Sequence, residues 1–459
     1  MDSRLHAVGS RSPVVTFEQA LVRPASEAFQ AFAHHINPVG AKLLRLANFD
    51  KLYTRAEGVH LYDNAGRRYL DIMAGFGALN LGHNPPEVIA AVREAQSLPA
   101  GFVVGLPPLM GALAEALAAI LPGELRFACF GNGGAEAVEI ALETARAATG
   151  RTRFVSCDKG YHGLSFGAMS VSGSLQYREV FGPLVEHCEM VLFGDVAALQ
   201  QHLANEDVAA FIVEPVQGEA GAVVPPQGYL KAVAEICRAH GTLLIADEIQ
   251  TGFGRTGRLF ATEDDGAIPD IVMLSKSLGA GVIPISACCM TEKIWESAFG
   301  SRDRFDLTIS TFGGNAAACA ASLKAIEITL RDDLAGRAAE LSQHAMARLL
   351  ELADKHETVK AIHGKGLLLG VELTAPIPAE IVEENFALMV ASCLLNDHGV
   401  LTTYFDLAPR ILRFEPPLII TKDEIDYAID AFDHVLDRGV AGLAMSVGKH
   451  AIGRIAHID

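Results

Sequence analysis

Short apolar runs alternate with stretches of helical periodicity through the middle of the chain. RFACF (126–130) precedes an Ala-rich helical run from Ala135 to Ala148. RFVSC (153–157) and VAAFIVEP (208–215), the latter ending at Pro215, read as strands. YLKAVAEICRAH (229–240) reads as a helix leading into the strand-like TLLIADE (242–248), and PDIVMLSK (269–276) follows. This alternation predicts an α/β fold with a mainly parallel sheet covered on both faces. From about residue 326 the texture changes. Long helical patterns (LAGRAAELSQHAMARLLELADKH) give way to GKGLLLGVEL and later RILRFEPPLII, which predicts a smaller α+β unit. The first 40 or so residues read as an arm or helix, and GVHLYDNAGRRYLDI as a hairpin turning at Asn-Ala-Gly. The expected division is 1–70 (arm and part of the small domain), 71–325 (large domain) and 326–459 (C-terminal small domain).

Composition narrows the class. A chain of 459 residues needs two or three packed units. With 50% hydrophobic and 20% charged residues it reads as globular rather than disordered. A net charge of −18 argues against a nucleic-acid face, which must be basic, and fits a solvated acidic surface. None of the eight Cys forms a C-x-x-C pair, so a zinc ribbon or thioredoxin-like motif is not expected, nor any metal. Most lie in apolar runs such as ISACCM, where reduced Cys packs as a small hydrophobe. That predicts a reducing compartment, taken to be the cytoplasm. The N-terminus shows no apolar h-region, and no window is apolar enough for a membrane span.

Polar residues of interest fall at the ends of the strand-like runs: Asn132, Glu214, Asp247 and Lys276. A lysine directly after an apolar strand, if desolvated, becomes a neutral nucleophile suited to Schiff-base chemistry; its plainer role is to snorkel to water. Asp247 can pair with a pyridinium nitrogen, or serve as a strand-end acid beside Glu248. Gln250 can donate to a ring hydroxyl or begin a loop. FGNGGAEAVEIALE places a Gly-rich turn before a helix start, an anion site by virtue of free N–H groups and the helix dipole. It is neither a dinucleotide fingerprint, since Glu136 takes the third glycine position, nor a Walker loop, since the lysine is missing. A single phosphate suits it better. Tyr161 can stack on a flat ring or pack in the core. Ser310 and Thr311 can donate to phosphate or cap the helix that follows. Together these are a phosphate cradle, a stacking aromatic, an acid for a ring nitrogen and a lysine, the parts that a pyridoxal-phosphate site requires.

LLIADEIQTGFGRTGRLFATE and PDIVMLSKSLGAGVIPISA carry a resemblance to the class III (ω-type) aminotransferases, from about Tyr53 to Asp437. The resemblance implies fold type I, pyridoxal 5′-phosphate as cofactor, Lys276 as Schiff-base lysine, Asp247 as partner of the ring nitrogen and Gln250 as partner of its hydroxyl. GNGGAEA is similar to the family's phosphate loop, which assigns contacts to Gly133, Gly134 and Ala135; Gly133 departs from the usual Ser or Thr. Tyr161, His162 and Glu214 complete the expected cofactor contacts. STFGGN, with Ser310 and Thr311, resembles the segment that reaches the phosphate from the other subunit, which implies a homodimer with shared sites. EPVQGEAG resembles EPIQGEGG, making Glu219 the acid that pairs with a switch arginine, Arg413 in LRFEPPL. TFGGN, EPPL and PPQGYL look most like putrescine (diamine) aminotransferases. Where several members carry an arginine for a distal carboxylate, this chain has Leu164. The implied reaction moves an amino group from a diamine such as putrescine, or an aliphatic amine, to a keto acid such as 2-oxoglutarate or pyruvate, or to an aldehyde. Decarboxylases, racemases and aminomutases of the same fold, and a non-catalytic homologue, are the alternatives.

Overall fold

The computed structural model describes residues 14–100, 105–376 and 380–455. Its centre is a seven-stranded sheet. Across the sheet the strands run Leu125–Gly131, Ser286–Thr291, Ile271–Leu274, Leu243–Asp247, Val208–Val213, Arg153–Cys157 and Cys188–Val191. Every strand anticipated from the sequence in this region is present. All six residues of Val208–Val213 are buried, as a central strand covered on both faces demands. Neighbours among the last five strands pair in parallel.

Ser286–Thr291 is the exception, antiparallel to both of its neighbours. In the sequence ISACCM reads only as an apolar run. Its direction follows from what precedes it: between Leu274 and Ser286 lies only a single 3₁₀ turn, Lys276–Gly279. A parallel return requires a crossover of roughly a dozen residues or more, usually a helix, so the chain turns straight back.

Helix Gly134–Thr149 is built from Ala, Glu and Leu, lays Ala137, Val138, Ile140, Ala141 and Ala145 against the sheet, and stops at Gly150 in the left-handed region (φ 69°). Two smaller sheets flank the large one. His60–Asp63 and Arg68–Asp71 form the expected hairpin, extended by Tyr53–Glu57 on one edge and Val400–Leu401 on the other. Val359–Lys365, Leu368–Leu373, Ala408–Phe414 and Tyr404–Phe405 form the other. One apolar core joins Leu70, Leu349, Leu369, Phe414 and Phe432, binding both small sheets to helices Leu334–Lys355 and Lys422–Leu436. The N-terminal stretch forms helices Phe17–Leu21, Ala25–His35 and Pro38–Leu46, in which Ala41 is the one buried residue. All eight Cys are free, and no helix among the described residues is long and apolar enough to cross a membrane.

Candidate active site

The carboxyl ends of the parallel strands converge on a cavity of about 320 Å³. Gly134, Ala135, Tyr161, His162, Leu164, Glu214, Asp247, Gln250 and Lys276 all line it. Five strands supply these groups. Leu125–Gly131 feeds the turn before Gly134, Arg153–Cys157 the Tyr161–Leu164 loop, Val208–Val213 leads to Glu214, Leu243–Asp247 ends on Asp247, and Ile271–Leu274 leads to Lys276.

At one end helix Gly134–Thr149 starts without a side-chain cap from Gly133, leaving the first-turn N–H groups of Gly134 and Ala135 to serve an anion. Gly163 presses on this helix start. With φ of +119°, a Cβ on it would lie 2.7 Å from that of Ala135. Gly133 itself borders open space.

Asp247 is almost fully buried and takes a hydrogen bond from His162 Nδ1 at 2.7 Å and one from Ile249 N–H at 3.1 Å. Burial opposes charge on His162, but its hydrogen bond to Asp247 and the nearby acids outweigh that and raise its pKa. This pair fixes the carboxylate's orientation. The sequence reading counted both residues without seeing the bond between them, since they lie in separate strand-end loops. Glu214 accepts from Tyr161 N–H (2.8 Å) and Gly218 N–H (3.0 Å). Burial, moderated by His162 and reinforced by Asp247, pushes its pKa up to about 7. Gln250 donates its amide to Glu415 Oε1 at 3.0 Å and, more weakly, to the Phe76 carbonyl at 3.4 Å.

Lys276 follows the strand in a left-handed conformation (φ 41°). Desolvation lowers its pKa below the ordinary lysine value; Arg413 pushes the same way, while Glu219, Glu415 and Glu214 oppose. Beside it lies the expected Glu219–Arg413 ion pair, outside the cavity lining itself. Arg413 is fully buried, its guanidinium 4.2 Å from the Phe405 ring centroid and 4.8 Å from that of Phe76. Burial resists ionisation of Glu219, but Arg413, Lys276 and the Asp406 N–H overcome it and bring its pKa below the usual carboxylate value. Glu415, also fully buried, is a second acid on Arg413 (3.2 Å) that the sequence reading did not single out. Leu164 is half exposed on the cavity wall. Ser310 and Thr311 are not among the residues lining the cavity of their own chain; Ser310 Oγ instead accepts from Asn132 Nδ2 at 3.0 Å.

An uncapped helix start, a buried carboxylate and a desolvated lysine around one cavity match a flat, phosphate-bearing pyridinium aldehyde, and the fold is that of the fold type I pyridoxal-phosphate enzymes. Residues 45–436 match the aminotransferase class-III profile, and the chain belongs to that family. It is 36% identical over 458 positions to aminotransferase PigE of Serratia sp. (strain ATCC 39006). That match covers 90% of this chain but 54% of the relative, so the chain spans about half the length of that protein. Among solved structures, the ornithine aminotransferase from Toxoplasma gondii ME49 aligns with a TM-score of 0.81 at 32% identity, over 91% of this chain and 96% of its own. A PLP-bound amine transaminase from an uncultivated Pseudomonas species aligns with a TM-score of 0.76 at 30% identity, over 84% and 95%. An (S)-enantioselective omega-transaminase from Thermomicrobium roseum aligns with a TM-score of 0.80 at 32% identity, over 90% and 98%.

Proposed function

We propose that this protein moves an amino group from a primary amine, a diamine such as putrescine or an aliphatic amine, to a keto acid such as 2-oxoglutarate or pyruvate, or to an aldehyde. The observation that carries the reading is the buried Glu219–Arg413 pair beside Lys276. A buried guanidinium needs an acid partner at all times. Glu219 is that partner while a carboxylate-free amine is bound, and the keto acid's carboxylate replaces it in the second half-reaction. Leu164 gives the cavity an apolar wall where a distal carboxylate would need a cation. Relatives named as an ornithine aminotransferase and an amine transaminase support an amine donor.

Pyridoxal phosphate, when bound, supplies an aldehyde carbon that takes the amine and a ring that accepts electron density. Gly134 and Ala135 would receive its phosphate, with Gly133 at the turn. Tyr161, Gln250 and Glu214 line the cavity and would contact its ring. Asp247, aligned by His162, would keep the proton on the ring nitrogen. Lys276 would anchor the cofactor, and its amine, whose pKa desolvation lowers, would be the base that moves the proton. Ser310 and Thr311 serve the phosphate across a homodimer interface. The eight free cysteines support a reducing compartment, and we place the protein in the cytoplasm.

The test is two half-reactions followed by cofactor absorbance, one with putrescine or a longer alkylamine and one with pyruvate or 2-oxoglutarate. Release of one aldehyde per subunit from amine alone sets transfer apart from decarboxylation or racemisation. Arg413→Ala is expected to raise the KM for the keto acid roughly tenfold to a hundredfold and to spare the amine half-reaction. Equal slowing of both would make Arg413 a structural residue.

A further inference from the structure

Arg413 has three hydrogen-bonding edges, and each has a different partner. Its Nε donates to the Tyr404 carbonyl (3.3 Å), Nη1 to Glu415 Oε2 (3.2 Å) and Nη2 to Glu219 Oε2. Of the two acids, Glu219 keeps a little solvent exposure (8% of its side chain), whereas Glu415 has none. The same Glu219 oxygen also takes the Asp406 N–H at 3.1 Å, so two donors already converge on the point where a carboxylate oxygen sits. Glu415, by contrast, is locked. It is fully buried, and its other oxygen takes the Gln250 amide at 3.0 Å. Its backbone N–H bonds the Ile72 carbonyl at 2.8 Å. Space for it is reserved by Gly77, where a Cβ would come within 2.4 Å of Glu415 Oε1. The Gly77 carbonyl in turn accepts from Ser277 Oγ (2.9 Å), the residue after Lys276.

We propose that Glu415 is a positioning residue for acceptor recognition: it holds Arg413 aligned and charge-compensated while Glu219 leaves, so that the acceptor's carboxylate lands on Arg413 Nη2 and the Asp406 N–H. The physical reason is the cost of a buried guanidinium without a partner. If Glu219 were the only acid, opening its pair would strand the charge until a carboxylate arrived. With Glu415 fixed on Nη1, the guanidinium stays paired and in plane throughout the exchange. The proposal rests on the reading of Arg413 as the carboxylate site.

The experiment measures binding of glutarate, a dicarboxylate with neither amine nor keto group, to the holoenzyme by its effect on cofactor absorbance. Acceptor KM and kcat are measured alongside. Glu415→Ala is expected to weaken glutarate about tenfold and to raise acceptor KM by a similar factor with a smaller change in kcat. Glu415→Gln keeps the volume and one acceptor oxygen, and is expected to fall between Glu415→Ala and the wild type. Should Glu415→Ala not fold, a glutarate dissociation constant raised at least threefold in Glu415→Gln supports the proposal, and an unchanged one overturns it. If Arg413→Ala weakens glutarate while both Glu415 variants bind it like the wild type, Arg413 stands as the carboxylate site and the role of Glu415 is refuted. If Arg413→Ala also binds glutarate normally, the underlying reading of Arg413 is what fails.

Discussion

Asp247 and His162 are both buried and sit 2.7 Å apart, so the acid cannot rotate away from the cavity without breaking that hydrogen bond. Asp247→Asn retains the volume and removes the charge, and turnover is expected to fall on the order of a hundredfold or more while pyridoxal phosphate still binds. A variant with near-normal kcat would reduce Asp247 to a structural acid. Glu214 offers a pH test. Its pKa is about 7 in the folded protein against an ordinary 4.5. Between those values the unfolded chain has lost the proton that the folded chain keeps, so stability falls as pH rises through that window. Glu214→Gln has no such proton. In cofactor-free protein the stability gap between it and the wild type is expected to drift by about 3 kcal/mol in the variant's favour from pH 4.5 to 7. Denaturation midpoints across that range check it, and parallel curves would refute it. Lys276, Asp247, Glu219 and Arg413 could all be picked out in the sequence because each ends a strand or sits in a recognisable segment. Glu415 could not. Nothing in LRFEPPL says that the acid turns inward, and its partners Gln250 and Gly77 are remote in sequence.

At the scale of elements, the phosphate end of the site is a joint between the Tyr161–Leu164 loop and the start of helix Gly134–Thr149. Gly163→Ala adds a methyl where only 2.7 Å is free and forces a left-handed backbone on alanine, so loop and helix start must separate. Cofactor affinity is expected to drop roughly tenfold, read by titrating stripped protein with pyridoxal phosphate. Gly133→Ser is the counterpart. It has open space and an ordinary extended backbone (φ −140°), and its hydroxyl should tighten binding by about two- to tenfold. Unchanged affinity in both would mean that the phosphate sits elsewhere. Alternation of apolar runs and helices made four of the five parallel strands legible to within a residue or two, while the short edge strand Cys188–Val191 was not anticipated. The direction of strand Ser286–Thr291 was not legible, because an apolar run shows burial but not which way its strand pairs. We propose the division into 1–70, 71–325 and 326–459 on sheet membership. Strands on both sides of the large sheet's sequence share one core, exemplified by Leu70 and Phe414.

For the whole molecule, the exposed apolar side chains are telling. Phe17, Leu21, Ile36, Val39, Leu43 and Leu46 lie bare on the N-terminal helices, and Phe305, Leu307, Ile309 and Phe312 on the segment around Ser310. Surfaces of this kind mark interfaces. With Ser310 and Thr311 outside their own cavity, they support the homodimer proposed above. Light scattering is expected to give twice the chain mass of 48.8 kDa. Mixing a Lys276→Ala chain with a Ser310→Ala/Thr311→Ala chain, each far less active alone, is expected to restore activity after subunit exchange, because one of the two sites in the mixed dimer is then intact. Absence of rescue would assign those hydroxyls to their own chain. The antiparallel strand also sets an order of birth. Leu125–Gly131 has Ser286–Thr291 as its sheet partner, Gly131 pairing with Ser286. During synthesis, the five parallel strands can zip together as they emerge, while the strand that carries the anion-binding turn waits, unpaired, until Ser286 and its neighbours have left the ribosome. A chain cut short before Ser286 is therefore expected to pair its parallel strands without holding pyridoxal phosphate, and cofactor binding by such a truncated chain would overturn that order.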